Sequence, residues 1–306
     1  MSRVSRRVCL TLAVAGSAAM ALGACGSDSL SGGGGGAATS SAAVTTQAAD
    51  PALVAKLPAK IKSAGKITVG TDATYAPNEF LGSDGKTVQG MDVDLFNAVA
   101  QKFGLTVDWQ PAGFDTIILG VSSAKYDVGV SSFSITDERK AQVNMVSYFT
   151  AGTQWVSQKG NPSKVDPENA CGLAIGVQKG TTQQDDLTAR SKKCTDAGKA
   201  AINLVIQEGQ DQVTADLAGG KTVAMAADSP VALYAIKQTG EKLEALGDTY
   251  DSAPYGWVVP KDQTDFAQAL ADAATALKTS GAYEKILANW GVQSGALTTF
   301  AVNPSS

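Results

Sequence analysis

From Lys66 onward, short apolar runs of strand length alternate with stretches of helical period, in one series up to Ser157 and a second from Cys171. That alternation builds parallel strands joined by helices, so it predicts an α/β chain. In the first series, 66–70, 106–109 and 126–130 read as strands. Between them lie a helix over 90–100, with Leu95, Phe96, Val99 and Phe103 on one face, and another over 114–121. In the second series, 173–177, 203–206 and 222–226 read as strands, the last ending at Asp228. Helices open at 179–182, 211–217 and Ser229-Pro230. A short strand over 154–157 carries the chain out of the first half, and a return strand over 256–259 carries it back. The amphipathic helices 263–279 and 283–290 then rejoin the first half. Two α/β halves joined by two crossings predict a clamshell with a ligand between them.

Ligands of open α/β sheets collect at the carboxyl ends of the strands, and the loops there carry the chemistry. The run VGVSSFSITDER (128–139) leaves a strand end through Ser131, Ser132 and Ser134. Thr136 then caps a short helix beginning at Asp137. Arg139 sits in its first turn, so hydroxyls, backbone amides and a guanidinium converge as a cradle for a carboxylate. An ordinary strand–cap–helix join with a solvated arginine is the plain alternative. Asp72 and Tyr75 follow the first strand, with a turn aspartate and a packed tyrosine as their plain alternative; Phe114 follows the second. Gly180 permits a tight turn that aims the Thr181 and Thr182 amides outward. Asp92 and Asp94 read as helix-start carboxylates favoured by the dipole rather than as a catalytic pair.

The 306 residues, 44% of them hydrophobic, allow two lobes with proper cores, and a net charge of -4 does not suggest nucleic-acid binding. No histidine is present, which excludes Ser-His-Asp and Cys-His sites and the common histidine metal centres. Chemistry by carboxylates, lysine or tyrosine stays open. Neither a metal nor a cofactor is expected.

Arg3, Arg6 and Arg7 precede an apolar run, 8–22, that is short for a membrane span. It ends in LGAC (22–25), which resembles a bacterial lipobox. The resemblance implies a signal peptide over 1–24, cleavage before Cys25 and diacylglycerol on its sulfur. Residues 25–55 are then a lipidated tether rich in Gly, Ser, Ala and Thr, with five consecutive glycines at 32–36. About 25 such residues reach on the order of 25–30 Å. Outside the cytoplasm, Cys171 and Cys194, an even pair in the folded part, are most simply a disulfide.

Several stretches, GTDATYAP (70–77), GMDVDL (90–95), SSFSITDER (131–139), GTTQ (180–183) and the strand ending at Asp228, occur in an order that resembles the family 3 bacterial extracellular solute-binding proteins. These are the polar amino acid receptors of ABC importers. The resemblance implies a type II-like periplasmic-binding-protein clamshell with two crossover hinge strands. Its lobes would be 56–153 with 256–295, and 154–255, followed by a tail over 296–306. It also implies that Arg139 holds an α-carboxylate with amides at Ser134 and Thr182, while Ser132 and Asp228 hold the α-ammonium. Asp72, Tyr75, Phe114, Ser131 and Gln178 would surround the side chain. Asn78 departs from the apolar residue common there. The expected protein is a monomeric receptor on the outer face of the membrane, held by lipid alone. It would bind a free amino acid, cationic by virtue of Asp72, and deliver it to ABC permease subunits without bond chemistry. Glutamine or glutamate is the alternative ligand, and a secreted dehydratase acting on prephenate-like compounds is the alternative of a different class.

Overall fold

The computed structural model describes residues 46–240 and 242–305. The signal peptide, Cys25 and most of the expected tether lie outside them. Two short helices, α1 (Pro51–Val54) and α2 (Ala59–Ala64), lead into the first strand, β1 (Lys66–Thr71). A small antiparallel sheet follows, β2 (Thr74–Tyr75), β3 (Glu79–Leu81) and β4 (Val88–Gln89). Then come α3 (Met91–Lys102), β5 (Thr106–Pro111), α4 (Phe114–Ser122), β6 (Val128–Gly129) and α5 (Asp137–Gln142). The long β7 (Asn144–Gln158) leads to β8 (Ala174–Gln178), α6 (Thr182–Asp196), β9 (Asn203–Gln207), α7 (Gln210–Ala218), β10 (Ala224–Asp228) and α8 (Ser229–Gln238). The equally long β11 (Leu243–Val259) returns the chain to α9 (Thr264–Thr279) and α10 (Ala282–Trp290).

One eight-stranded sheet runs in the order β5-β1-β6-β11-β7-β10-β8-β9. β5, β1 and β6 are parallel, as are β10, β8 and β9; β7 and β11 run antiparallel to each other between the two sets. The two-lobed α/β expectation therefore holds, but the crossings are whole strands of 15 and 17 residues rather than short connectors. Asn144 to Thr150 is strand although Asn, Ser and Thr break its apolar run. It is buried nearly throughout because helices cover it. The first half of β11 is polar and largely exposed, which hid it from periodicity.

Each lobe has its own core. In the first, Ile67, Val69, Leu95, Phe96, Phe266 and Leu287 are buried together, and Tyr148 stacks on Trp257 at 4.9 Å. In the second, Trp155, Ile175, Val177, Leu187 and Ala226 form the centre. Each large apolar side chain removed from water there stabilises the fold by about 1.5–3 kcal/mol. Cys171 and Cys194 are bonded, with Cα atoms 5.6 Å apart and 23 positions of separation. Closing that loop contributes roughly 3 kcal/mol in the chain-entropy model, and it ties α6 to the approach of β8.

Ordered structure begins earlier than the expected tether boundary. Leu53 is in the first core, and the Asp50 amide donates to the Lys102 carbonyl at 2.8 Å. The expected tail is also packed. Asn303 brackets Met145, giving its N–H to the carbonyl at 2.7 Å and accepting the Met145 amide on Oδ1 at 2.8 Å.

Candidate functional site

Local sequence chemistry sets the loops at the strand ends. Thr136 Oγ1 accepts the Arg139 amide at 3.2 Å, the expected cap, and so places Arg139 in the first turn of α5. Its guanidinium donates to the Ser134 carbonyl at 2.8 Å and, across to the other lobe, to the Gly180 carbonyl at 3.1 Å. It also lies 5.5 Å from the Phe114 ring centre and 5.6 Å from that of Phe133, which stack on each other at 4.6 Å. Burial pulls its pKa down from the usual guanidinium value, while Asp228, Asp185 and Glu138 act to keep it charged.

Thr181 caps α6 through the Gln184 amide at 3.2 Å and donates its hydroxyl to the Gln178 carbonyl at 2.8 Å, with Thr182 the first helical residue. Gly180 has φ +76, and a β-carbon there would stand 2.9 Å from Asp115 Cβ of the first lobe. Glycine is needed for both the conformation and the approach.

Asp72 is buried in the first lobe's loop. It accepts Thr74 Oγ1 at 2.9 Å on one oxygen and the Gln178 side-chain amide of the second lobe on the other. Loss of water raises its pKa to about 6 despite those hydrogen bonds. Gln178 also donates to the Glu208 carbonyl at 3.0 Å, and its buried Oε1 has no hydrogen-bond partner among the described residues. Asp228, at the end of β10, accepts Tyr255 OH at 2.7 Å and Gln183 Nε2 at 2.8 Å; its amide donates to the Tyr75 oxygen at 3.3 Å. Burial raises the Asp228 pKa, against the hydrogen bonds and Arg139. Thr74 accepts the Gln210 amide at 3.0 Å, and Lys179 meets Asp115 at 3.0 Å, so polar contacts from Arg139, Asp72, Thr74, Tyr75 and Asp115 reach the other lobe.

The predicted residues thus gather at one junction between the lobes, with two carboxylates and one guanidinium buried or half-buried. Ser131 and Ser132 face a network that sequence reasoning did not anticipate. Ser131 Oγ donates to Glu79 at 3.0 Å, and Ser132 bonds to Glu79, Asp92 and Asn78. Asp92 is not simply a helix-start carboxylate. It is fully buried and accepts the Ser132 amide at 3.0 Å and the Tyr148 hydroxyl. Asn78 is also fully buried and spends its amide on Ser132, at 2.9 Å. Among the described residues there is no group of three or more His, Cys, Asp or Glu side chains able to hold a metal.

This junction lies within a stretch, residues 67–293, that matches the family model of bacterial extracellular solute-binding proteins, family 3. The chain belongs to that family. Among curated relatives, the arginine-binding protein ArgT of Corynebacterium glutamicum is 34% identical over 254 residues, 83% of each chain. Among solved structures, an ancestral arginine-binding protein bound to arginine is 34% identical with a TM-score of 0.68, over 74% of this chain and 98% of that one. A structure of an ancestral arginine-binding protein bound to glutamine is 33% identical, with the same TM-score and coverage. The residues missed by sequence reasoning, Glu79, Gln183 and Tyr255, hydrogen-bond the candidate side chains Ser131, Ser132 and Asp228. Gln183 falls at the end of the GTTQ run, so its position next to the cap was the available signal.

Proposed function

We propose that this protein is a lipid-anchored extracytoplasmic receptor that binds a cationic amino acid and delivers it to an ABC importer. Residues 56–153 with 256–295 form one lobe in this reading and 154–255 the other, and the receptor acts as a monomer. The observation that carries the reading is the charge pattern of the junction. Arg139 suits an α-carboxylate, Asp228 suits an α-ammonium, and Asp72 adds a second buried carboxylate, held by Thr74 and Gln178, that a further cationic group on the ligand would pair with. In this reading Tyr75 and Phe114 are the aromatic walls around the ligand side chain, which suits a cation. The arginine-binding relatives are consistent with this. Closure has a physical cause, since the ligand touches both lobes only when they meet.

Glutamine is the second reading, favoured by the unpartnered Gln178 Oε1, which an amide N–H would satisfy, and by the glutamine-bound ancestral structure. A thermal-shift screen of the twenty amino acids with ornithine and citrulline tests both. A ligand at 100 times its Kd adds about 2.7 kcal/mol of stability. No shift with any amino acid would remove the receptor reading, and absorbance after incubation with prephenate would then test the dehydratase alternative.

The anchor rests on Cys25 and the lipobox resemblance. The mature chain is expected to begin at Cys25, carry lipid and partition with membranes, and Cys25→Ser is expected to release it or leave the precursor uncleaved. An unmodified Cys25 found by mass spectrometry in native protein would overturn this.

A further inference from the structure

Below the candidate cleft, Glu79 from β3 and Asp92 from α3 lie against each other with no access to solvent. Tyr148 from β7, Tyr75 from β2 and Asp72 from the loop after β1 are the titratable groups that bear on them. Two ionised carboxylates in contact in a buried site repel strongly, so such a pair retains a proton. The hydrogen bonds point the same way. Asp92 Oδ2 accepts Tyr148 OH and the Ser132 amide, whereas its buried Oδ1 has no N–H or hydroxyl partner among the described residues. A proton on Glu79 gives that oxygen a donor. Burial and the neighbouring Asp92 raise the Glu79 pKa well above the usual range, while Asp92 moves to about 6.

The pair has a consequence for the hydroxyls above it. Ser131 donates its hydrogen to Glu79 Oε1 and accepts the Asp72 amide at 2.9 Å. Ser132 accepts Asn78 Nδ2, and its hydrogen goes to Glu79 or Asp92, at 3.3 and 3.2 Å. A serine hydroxyl has one hydrogen and two lone pairs. Both hydrogens are therefore committed inward, and each oxygen keeps one lone pair.

We propose that Glu79 is a positioning residue: sharing one proton with Asp92, it turns the Ser131 and Ser132 hydroxyls inward and leaves both oxygens as acceptors for a ligand cation. An ammonium or guanidinium is matched by such oxygens, and a ligand carboxylate is refused. The inference rests on the cationic amino acid reading above.

Two measurements test it. The Glu79 side-chain carboxyl, followed by carbon-13 NMR in the native full-length protein, is expected to remain protonated at pH 7. L-Arginine affinity is the second, measured well below the melting temperature of every variant. Glu79→Leu is expected to weaken it about tenfold or more, because the hydroxyl orientation is released. Glu79→Gln should recover most of that loss, since its amide donates to Asp92 and its carbonyl accepts from Ser131. An ionised Glu79 at pH 7, or a glutamine variant as weak as the leucine one, overturns the inference alone. A native protein that ignores L-arginine, lysine and ornithine instead removes the reading beneath it. If the leucine variant fails to fold, the NMR titration of the native protein still decides the proton.

Discussion

Replacing Arg139 with alanine is expected to cost at least about 3 kcal/mol of ligand binding, on the order of a hundredfold or more in Kd. Among the described residues, two of the five guanidinium donors are placed on protein acceptors, the carbonyls of Ser134 and Gly180. The remaining N–H groups are free to form a bidentate pair with a carboxylate. Without them, a ligand carboxylate enters a closed, partly desolvated site with no partner. Arg139→Lys should restore only part of the loss, since an ammonium cannot reproduce the planar fork or cover the Phe114 and Phe133 faces as well. Calorimetric titration of both variants, with melting curves to show that they fold, checks this. Near-native affinity in the alanine variant would return Arg139 to a strand–helix join with a solvated side chain.

The second large effect is expected at Asp72 and appears as a pH dependence. Burial lifts its pKa to about 6, so at pH 5 most molecules carry a proton there. A cationic ligand needs the carboxylate. Its apparent affinity is reduced by the fraction of protein in the competent form, and should therefore rise about tenfold from pH 5 to 7.5. Stability of the unliganded fold has the opposite sign. A carboxyl whose folded pKa is raised contributes stability that is fully present below its unfolded value and lost as pH rises through about 6. Asp72→Asn should weaken binding of a cationic ligand at least about tenfold at pH 7.5 and flatten the profile. Glutamine binding would change little. A native protein that binds glutamate tightly and ignores arginine at every pH would end the cationic reading.

Much of this fold could be read from the chain because its signals are local. Thr136 and Thr181 are caps with a hydroxyl at the right place, and the helix faces of Leu95, Phe96 and Val99 follow a 3.6-residue period. The cysteine pair needed only compartment and parity. The carboxylate network was not legible for the opposite reason. Glu79 follows a proline-containing turn and Asp92 opens a helix, both ordinary surface positions for an acid. They are buried only because Tyr148, Ser131 and Ser132 arrive from distant parts of the sequence. Asn78 shows the same limit. Read along the chain, it is only a departure from the apolar residue common there; in three dimensions its side-chain amide is committed to Ser132.

The pairing of the two crossing strands also bears on how the lobes can move. β7 is paired on its outer side with β10 from Thr153 to Ser157, in the second lobe, whereas β11 is paired with β6 at Val258, in the first. Each rail runs from one core to the other, and the two are paired with each other along most of that length. The register slips on both sides of Ala253, and Gly152 lies where any β-carbon would stand 2.6 Å from the Tyr250 carbonyl oxygen. Irregular pairing and this close backbone approach fall together near Ala151–Thr153 and Tyr250–Ala253, and bending is expected there. Amide hydrogen exchange should then be fastest within the crossings at that one level and slow on either side of it, and uniform exchange along both strands would contradict a localised axis.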